Sequence, residues 1–271
     1  MAMTGTSRVL RPALRRTRSG RAELRLVLSF ARRELHSRYR QSALTVVWSV
    51  LQPVALVVVY GVVFSQILNV QGDGLPYLTF VVAGLAAWRY FQAGLQQATC
   101  FIDRSDTLSK VYFRREVMPL SGCVAALVDL SIGIVAMVVV GLIQGVTPTY
   151  TIVALPVVLA VLLLYTGAVA VVVATVTVFI RDLAHALPTV NQVLFLGSPV
   201  MYPESQIPEH LAFLGTVNPV AVVAESIRDV ALRGIWPRWE LIGLHLAIGG
   251  ALLVAAILHL RSIEDRIVDV V

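Results

Sequence analysis

Apolar stretches of roughly twenty residues, the length that carries an α-helix across about 30 Å of hydrocarbon, recur along most of this chain. No soluble core of 271 residues accommodates so many of them. With 57% hydrophobic and 14% charged residues, against about 25% charged in an ordinary soluble domain, the chain reads as an all-α integral membrane protein. Six transmembrane helices are expected, over about 44–68, 77–97, 120–146, 151–179, 186–202 and 241–260. The first contains Pro53, where a kink is expected, and the short fifth ends in a Pro-rich stretch.

Charge is concentrated rather than spread. Of the 22 basic residues, 11 lie in the first 43 positions, where the only acids are Glu23 and Glu34. Standing directly before a hydrophobic span, this cluster reads as a cytoplasmic anchor near anionic lipid, not as a nucleic-acid patch. Residues 1–20 have no apolar period and read as a disordered basic tail ahead of a single transmembrane domain, 21–271. Over 22–40 the pattern changes: Leu24, Val27, Leu28, Ala31 and Leu35 share one helical face, and Arg25, Ser29, Arg32, Arg33 and His36 the other. An amphipathic helix lying in the membrane interface fits that pattern. The basic region is too long, and the span after it too long and without a small-residue cleavage site, for a secretory signal. Counting Lys and Arg on alternate sides gives 18 against three (Arg228, Arg233, Arg238), with Arg89 inside a span, so both termini are expected in the cytoplasm.

Between the fifth and sixth spans, about 205–235, the chain is too apolar for a plain loop and too interrupted for a span. Two short helices broken at Asn218-Pro219, dipping into the outer leaflet and returning, are expected there, with a pair of surface helices as the alternative. Glu225, Arg228 and Asp229 fall within one face of the second helix.

Several chemistries are missing. There is no Gly-rich phosphate loop around the single Lys, Lys110, and no HExxH or GxSxG. Cys100 and Cys123 lack metal-ligand spacing, so no metal site is expected. Asp129 is the one carboxylate well inside a span and is expected to pair structurally, Arg89 being the candidate partner, in preference to a transport role. Trp48, Tyr60, Trp88 and Tyr90 admit two readings, rings lining a pathway that stack on sugars or an interfacial belt. The belt reading suits Tyr77, Tyr202, Trp236 and Trp239, which stand at predicted span boundaries. The loop 100–117, CFIDRSDTLSKVYFRREV, mixes charged and aromatic residues in a way that suits a protein partner.

Residues 34–68, ELHSRYRQSALTVVWSVLQPVALVVVYGVVFSQIL, resemble the start of the membrane subunit of ABC-2-type polysaccharide exporters. There a basic Arg-Tyr-Arg stretch precedes a Leu-x-x-x-Trp…Gln-Pro helix; here these are Arg38, Tyr39, Arg40, Leu44, Trp48, Gln52 and Pro53. KVYFRREVMPLS (110–121), RDLAHALPTVNQVLFLGSPVMYP (181–203) and NPVAVVAESIRD (218–229) follow in the family's order. Thr45 and Arg114 depart from the Gly and Pro frequent at those places in the family.

The resemblance implies a homodimer in a bacterial cytoplasmic membrane, joined to two ATPase subunits that bind ATP and Mg while this chain binds no cofactor. The substrate it implies is a polysaccharide on a polyprenyl diphosphate carrier, such as an O-antigen, teichoic acid or galactan. It assigns ATPase coupling to Arg38, Tyr39, Arg40, Asp106, Lys110, Tyr112, Arg114 and Arg115, an external gate to the break at Asn218 and Pro219, and a substrate pathway to Trp48, Tyr60, Trp88 and Tyr90. Arg32, Arg33, Arg38 and Arg40 stand where guanidinium forks would meet the carrier diphosphate, or equally anionic lipid. Two alternatives remain open: an efflux permease for drugs or small lipids, and a membrane enzyme acting on polyprenyl-phosphate sugars.

Overall fold

The computed structural model describes residues 20–39, 51, 55, 58–67, 69–99 and 114–263. Arg40, Trp48, Pro53, Cys100, Asp106, Lys110 and Tyr112 lie outside them, as do the basic tail and most of the first span and of the 100–117 loop. Helix dominates: α1 (Gly20–Tyr39), α2 (Tyr77–Thr99), α3 (Val117–Ile143), α4 (Leu155–Phe179), α5 (Leu183–Gly197), α6 (Phe213–Val217), α7 (Pro219–Arg228) and α8 (Trp239–Ser262). Gly61–Ile67, at the end of the expected first span, is a π-helical segment.

Among the described residues three helical stretches are long and apolar enough to cross a membrane, Val117–Ile143, Tyr150–Phe179 and Trp239–Ser262. The pair Glu209–Val217 and Pro219–Arg233, bent by 85°, makes a fourth if it is counted as one broken span. α5 is shorter than its sequence pattern: 15 residues rise about 22 Å, less than the hydrocarbon thickness.

Which faces meet lipid follows from packing. α2 is central, packed by α3, α4, α5 and α7. Sixteen of its 23 residues are buried, and Arg89, Gln92 and Gln97 are partly covered by protein, while Gln96 near the end of the helix is exposed. α3 and α8 are instead bare along one side, at Val135, Val139, Leu142 and Ile143 and at Leu244, Leu252, Val254 and Leu258. Contiguous exposed aliphatic surface of this kind is stable against hydrocarbon, not water. α2 and α3 approach closely at two glycines: a Cβ on Gly122 would stand 2.5 Å from the Gln97 Cβ, and one on Gly133 2.7 Å from the Ala86 Cβ. Small residues substitute here for a hydrophobic drive that lipid does not supply.

Ends are tied by side chains. Gln144, just past α3, accepts the Thr79 backbone N–H (3.0 Å) and hydroxyl (2.6 Å) in the first turn of α2, where helical donors have no partner within the helix. The π-helical turn Asp229–Arg233 that follows α7 closes on Gly234 in the left-handed region, φ 73°. The Thr149 and Thr151 hydroxyls both donate to the Val230 carbonyl in that turn, at 2.9 and 2.7 Å.

α1 packs against α3. Its apolar stripe is shared between two environments: Ala31 is buried, while Leu24 and Leu28 are 59% and 51% exposed. Arg25, Arg32, Arg33 and His36 are exposed beside them. The helix therefore uses one edge of the stripe for the bundle and leaves the other for an apolar surrounding.

Candidate functional site

Tyr77, Phe80, Gly84, Trp88 and Phe91 follow one another along α2 at spacings of three, four, four and three, so they form one longitudinal face. Rings from other segments complete it. Trp88 stands 5.6 Å from Phe91 and 5.3 Å from Phe195 of α5; Phe195 is 6.3 Å from Tyr60, and Tyr60 is 6.3 Å from Phe64. Phe64 stacks on Tyr77 at 6.2 Å, and Tyr77 on Phe80 at the same separation. A continuous aromatic ladder thus runs from the middle of α2 to its N-terminal end. Two of the expected pathway residues, Tyr60 and Trp88, meet in it through Phe195, which the sequence reading had not singled out. Tyr90, two positions from Trp88 and therefore on another side of the helix, does not join them; it is buried at 1% exposure, with Cys123 of α3 among its neighbours. Tyr77 departs from the belt expectation: it is 6% exposed and its hydroxyl donates to the Met201 carbonyl at 2.9 Å. Trp236 and Trp239 are half-exposed and lie 6.2 Å apart, with Tyr150 6.2 Å from Trp236.

The ladder ends on a cation. Arg228, at the end of α7, is 1% exposed, and its guanidinium carbon sits 3.5 Å from the Phe80 ring centre. Its Nε donates to the Phe80 carbonyl (3.1 Å), Nη2 to the Val200 carbonyl (2.7 Å) and Nη1 to Glu225 Oε2 (2.9 Å). Gly84 makes the room: a Cβ there would stand 2.5 Å from Arg228 Nη2 and 2.6 Å from the Val200 oxygen. Glu225 is shared with Arg233, which also reaches Asp229 at 2.8 Å. Arg238 pairs with Glu204 at 3.5 Å, and burial still pushes that carboxyl above its ordinary value. All three basic residues of the sparsely charged side thus have acidic partners, which local charge spacing had indicated only for the α7 group.

Asn218 sits at the 85° break. Its Oδ1 accepts the backbone N–H of Val220 (3.0 Å) and Ala221 (3.4 Å), and Pro219, which lacks an N–H, occupies the first helical position. The amide's other end donates to Ser198 Oγ, 2.7 Å away. Across the break His245 of α8 bonds the Thr216 carbonyl (2.9 Å) through Nε2. A carbonyl only accepts, so Nε2 carries the hydrogen, and Nδ1 faces the Tyr165 hydroxyl at 3.1 Å.

At the opposite end of the bundle Arg114 lies 2.7 Å from Glu23 of α1. Glu116, 6% exposed, accepts from Arg261 at the end of α8 through Nε (3.0 Å) and Nη2 (2.5 Å). The exit of the 100–117 loop is thereby fastened both to α1 and to α8. Glu116, which the sequence reading passed over, is the hub. Arg115 is half-buried beside it, and Arg38 and Tyr39 lie in the last turn of α1. Within the spans Asp129 of α3 is close enough for its charge to act on Arg89 of α2. Among the described residues no group of three or more His, Cys, Asp or Glu is placed to hold a metal.

The described residues form a helical bundle with membrane-length apolar helices, a sharply broken helix pair between α5 and α8, and an amphipathic helix at the other end. The family model of the ABC-2 type transporter matches residues 25–232, and the chain belongs to that family. It is 31% identical over 234 residues to an O-antigen export system permease protein RfbA of Myxococcus xanthus, covering 85% of this chain and 89% of that one. Two proteins of the same description from Klebsiella pneumoniae are 28% and 23% identical; they cover 77% and 90% of this chain and are themselves covered over 81% and 94% of their lengths.

Proposed function

We propose that this chain is the transmembrane subunit of an ATP-driven exporter carrying a polyprenyl-diphosphate-linked polysaccharide across a bacterial cytoplasmic membrane. The observation that carries the reading is the near full-length similarity to O-antigen export permeases, 85% of this chain against 89% of the relative. The working unit is a homodimer of six-span subunits with both termini in the cytoplasm, joined to two ATPase subunits that bind ATP and Mg.

In this reading the 100–117 loop and α1 receive the push of the ATPase through Arg38, Tyr39, Arg40, Asp106, Lys110, Tyr112, Arg114 and Arg115. The Arg114–Glu23 and Glu116–Arg261 pairs supply a rigid route from that surface into α1, α3 and α8. Arg32 and Arg33, exposed on α1, with Arg38 and Arg40 beyond them, attract the carrier diphosphate at the entrance. Rings of the ladder, Tyr60 and Trp88 foremost, with Trp48 nearby in sequence, offer stacking faces to sugars, whereas Tyr90, 1% exposed on another side of α2, is left to packing. The break at Asn218 and Pro219 gates the far side.

The test is co-expression with the cognate ATPase in a host that makes a lipid-linked polysaccharide but lacks its own export permease. Polymer should reach the cell surface with the pair and stay inside with either protein alone. Extrusion of small hydrophobic compounds without surface polymer would replace the reading by efflux, and turnover of a lipid-linked sugar by the chain without an ATPase would replace it by an enzyme. Tyr112→Ala with Arg115→Ala should lower ATPase binding while the chain still folds.

A further inference from the structure

α5 is held firmly at one end only. Past Gly197 the chain runs through Ser198–Met201, whose polar groups are clamped by three side chains, two from the ends of α7 and one from α2. Asn218 donates to the Ser198 hydroxyl, Arg228 to the Val200 carbonyl and Tyr77 to the Met201 carbonyl, at 2.7, 2.7 and 2.9 Å. Ser198, Val200 and Met201 are all nearly inaccessible, at 2%, 0% and 3% exposure. Along the helix itself only Leu187, Asn191 and Phe195 are buried, one stripe at four-residue spacing laid against α2 and α4. Pro188 removes one rung of the helical ladder within it.

The middle member of that stripe is polar. Asn191 is 1% exposed, and neither its amide nitrogen nor its amide oxygen has a hydrogen-bond partner among the described residues. An unpaired buried amide costs free energy that an aliphatic residue of the same size would not. The packed arrangement is therefore the one in which this side chain is least satisfied, and it gains when α5 lifts away. One turn along the same stripe, Phe195 meets Trp88 and Tyr60. An amide with two donors and one acceptor beside aromatic faces is the chemistry that takes a sugar ring, hydroxyls on the amide and C–H face on the rings.

We infer that Asn191 is a sugar-contacting residue of the export path, covered at rest and uncovered when α5 pivots about its clamped end at Ser198–Met201. The ligand class is a hydroxyl-rich glycan segment, and the inference rests on the exporter reading above.

The parent pair of permease and ATPase is assayed first for surface polymer; failure there removes the exporter reading itself. With a working parent, Asn191→Leu should lower export on the order of tenfold, the loss of one to two hydrogen bonds to the passing glycan. Its thermal unfolding temperature should be equal or higher, because an unpaired amide has been removed. A purely structural Asn191 would move both quantities down together. Export by Asn191→Leu equal to the parent overturns the inference and leaves the exporter reading standing. A second measurement covers a variant that fails to assemble. Asn191→Cys, in a background with Cys100→Ala and Cys123→Ala, is labelled by a maleimide with and without ATP turnover. Labelling should rise at least about tenfold during turnover, since reaction needs an accessible thiolate. An unchanged rate overturns the pivot.

Discussion

Replacing Arg228 tests how far the broken-helix segment depends on one buried cation. The guanidinium makes three contacts of ordinary hydrogen-bond length, at 3.1 Å to the Phe80 carbonyl, 2.9 Å to Glu225 and 2.7 Å to the Val200 carbonyl. A fourth, to the Pro199 carbonyl at 3.5 Å, is too long to count for much. Arg228→Met keeps an aliphatic stem but removes the guanidinium from over Phe80 and leaves the Val200 carbonyl without its donor, while Glu225 retains Arg233. Because Glu225 keeps a partner, the cost is that of an orphaned buried carbonyl and a lost charge-assisted hydrogen bond, about 2–3 kcal/mol. Arg228→Lys keeps the charge but loses the fork that reaches a carboxylate and two carbonyls at once, and should cost about half as much. Gly84→Ala attacks the same contact from α2, since its methyl would stand 2.5 Å from Nη2 and 2.6 Å from the Val200 oxygen. Overpacking there should cost about 1–3 kcal/mol. In the Arg228→Met background one of those two clashes is gone, so Gly84→Ala should cost less, a coupling of about 1 kcal/mol. Thermal unfolding of the purified protein in detergent, followed by tryptophan fluorescence, should rank parent, Lys variant and Met variant in falling order. A Met variant as stable as the parent would refute the account of the cation as a pin.

At the opposite end, Glu116→Gln should cost about 1 kcal/mol, a modest figure because Arg261 is 41% exposed, and the exchange Glu116→Arg with Arg261→Glu should recover part of it in the same melt. Asn218→Ala removes an N-cap and the Ser198 bond together and should cost about 1–2 kcal/mol; Asn218→Asp keeps the cap but cannot donate to Ser198, so its melting temperature should fall between parent and Ala. His245→Leu strips a donor from the Thr216 carbonyl and should destabilise by about 1–3 kcal/mol, whereas Tyr165→Phe, which removes one hydrogen bond, should cost about 1 kcal/mol by the same assay.

Helix positions and the Asn218-Pro219 break were legible because they depend on local chemistry: continuous apolar runs, a proline without an N–H, an asparagine that caps. The 3-4-4-3 spacing of Tyr77, Phe80, Gly84, Trp88 and Phe91 was also present in the sequence, but reading aromatic residues one at a time conceals a stripe that glycine interrupts. Its completion by Phe195 and Arg228, each more than a hundred positions away, is tertiary and leaves no local mark. Spacing put Arg228 on one helical face with Glu225 and Asp229, but not its burial, which comes with the carbonyls of Phe80 and Val200. Hydropathy marks α2, which carries Arg89 and three glutamines, as less apolar than α3, but does not say which sides of either are covered. Only packing shows that the first is wrapped by protein and the second bare.

Charge at the two ends of the bundle is handled differently: at the basic end Arg114 and Arg261 are paired with Glu23 and Glu116, but further arginines stand exposed. On the sparsely charged side Arg228, Arg233 and Arg238 each find a carboxylate, from Glu225, Asp229 or Glu204, within 3.5 Å, and three bases against three acids leave the cluster neutral. On the other side Arg25, Arg32 and Arg33 project outward from α1 beside the bare Leu24 and Leu28, the arrangement that pairs an apolar edge with an anionic surface. The positive-inside count of 18 against three therefore understates the difference, because the minority charges are also cancelled locally. Cancelling the bases at one end and exposing them at the other is the asymmetry that the positive-inside rule reads. The same display leaves a guanidinium-rich surface exposed to anionic groups at that end of the bundle.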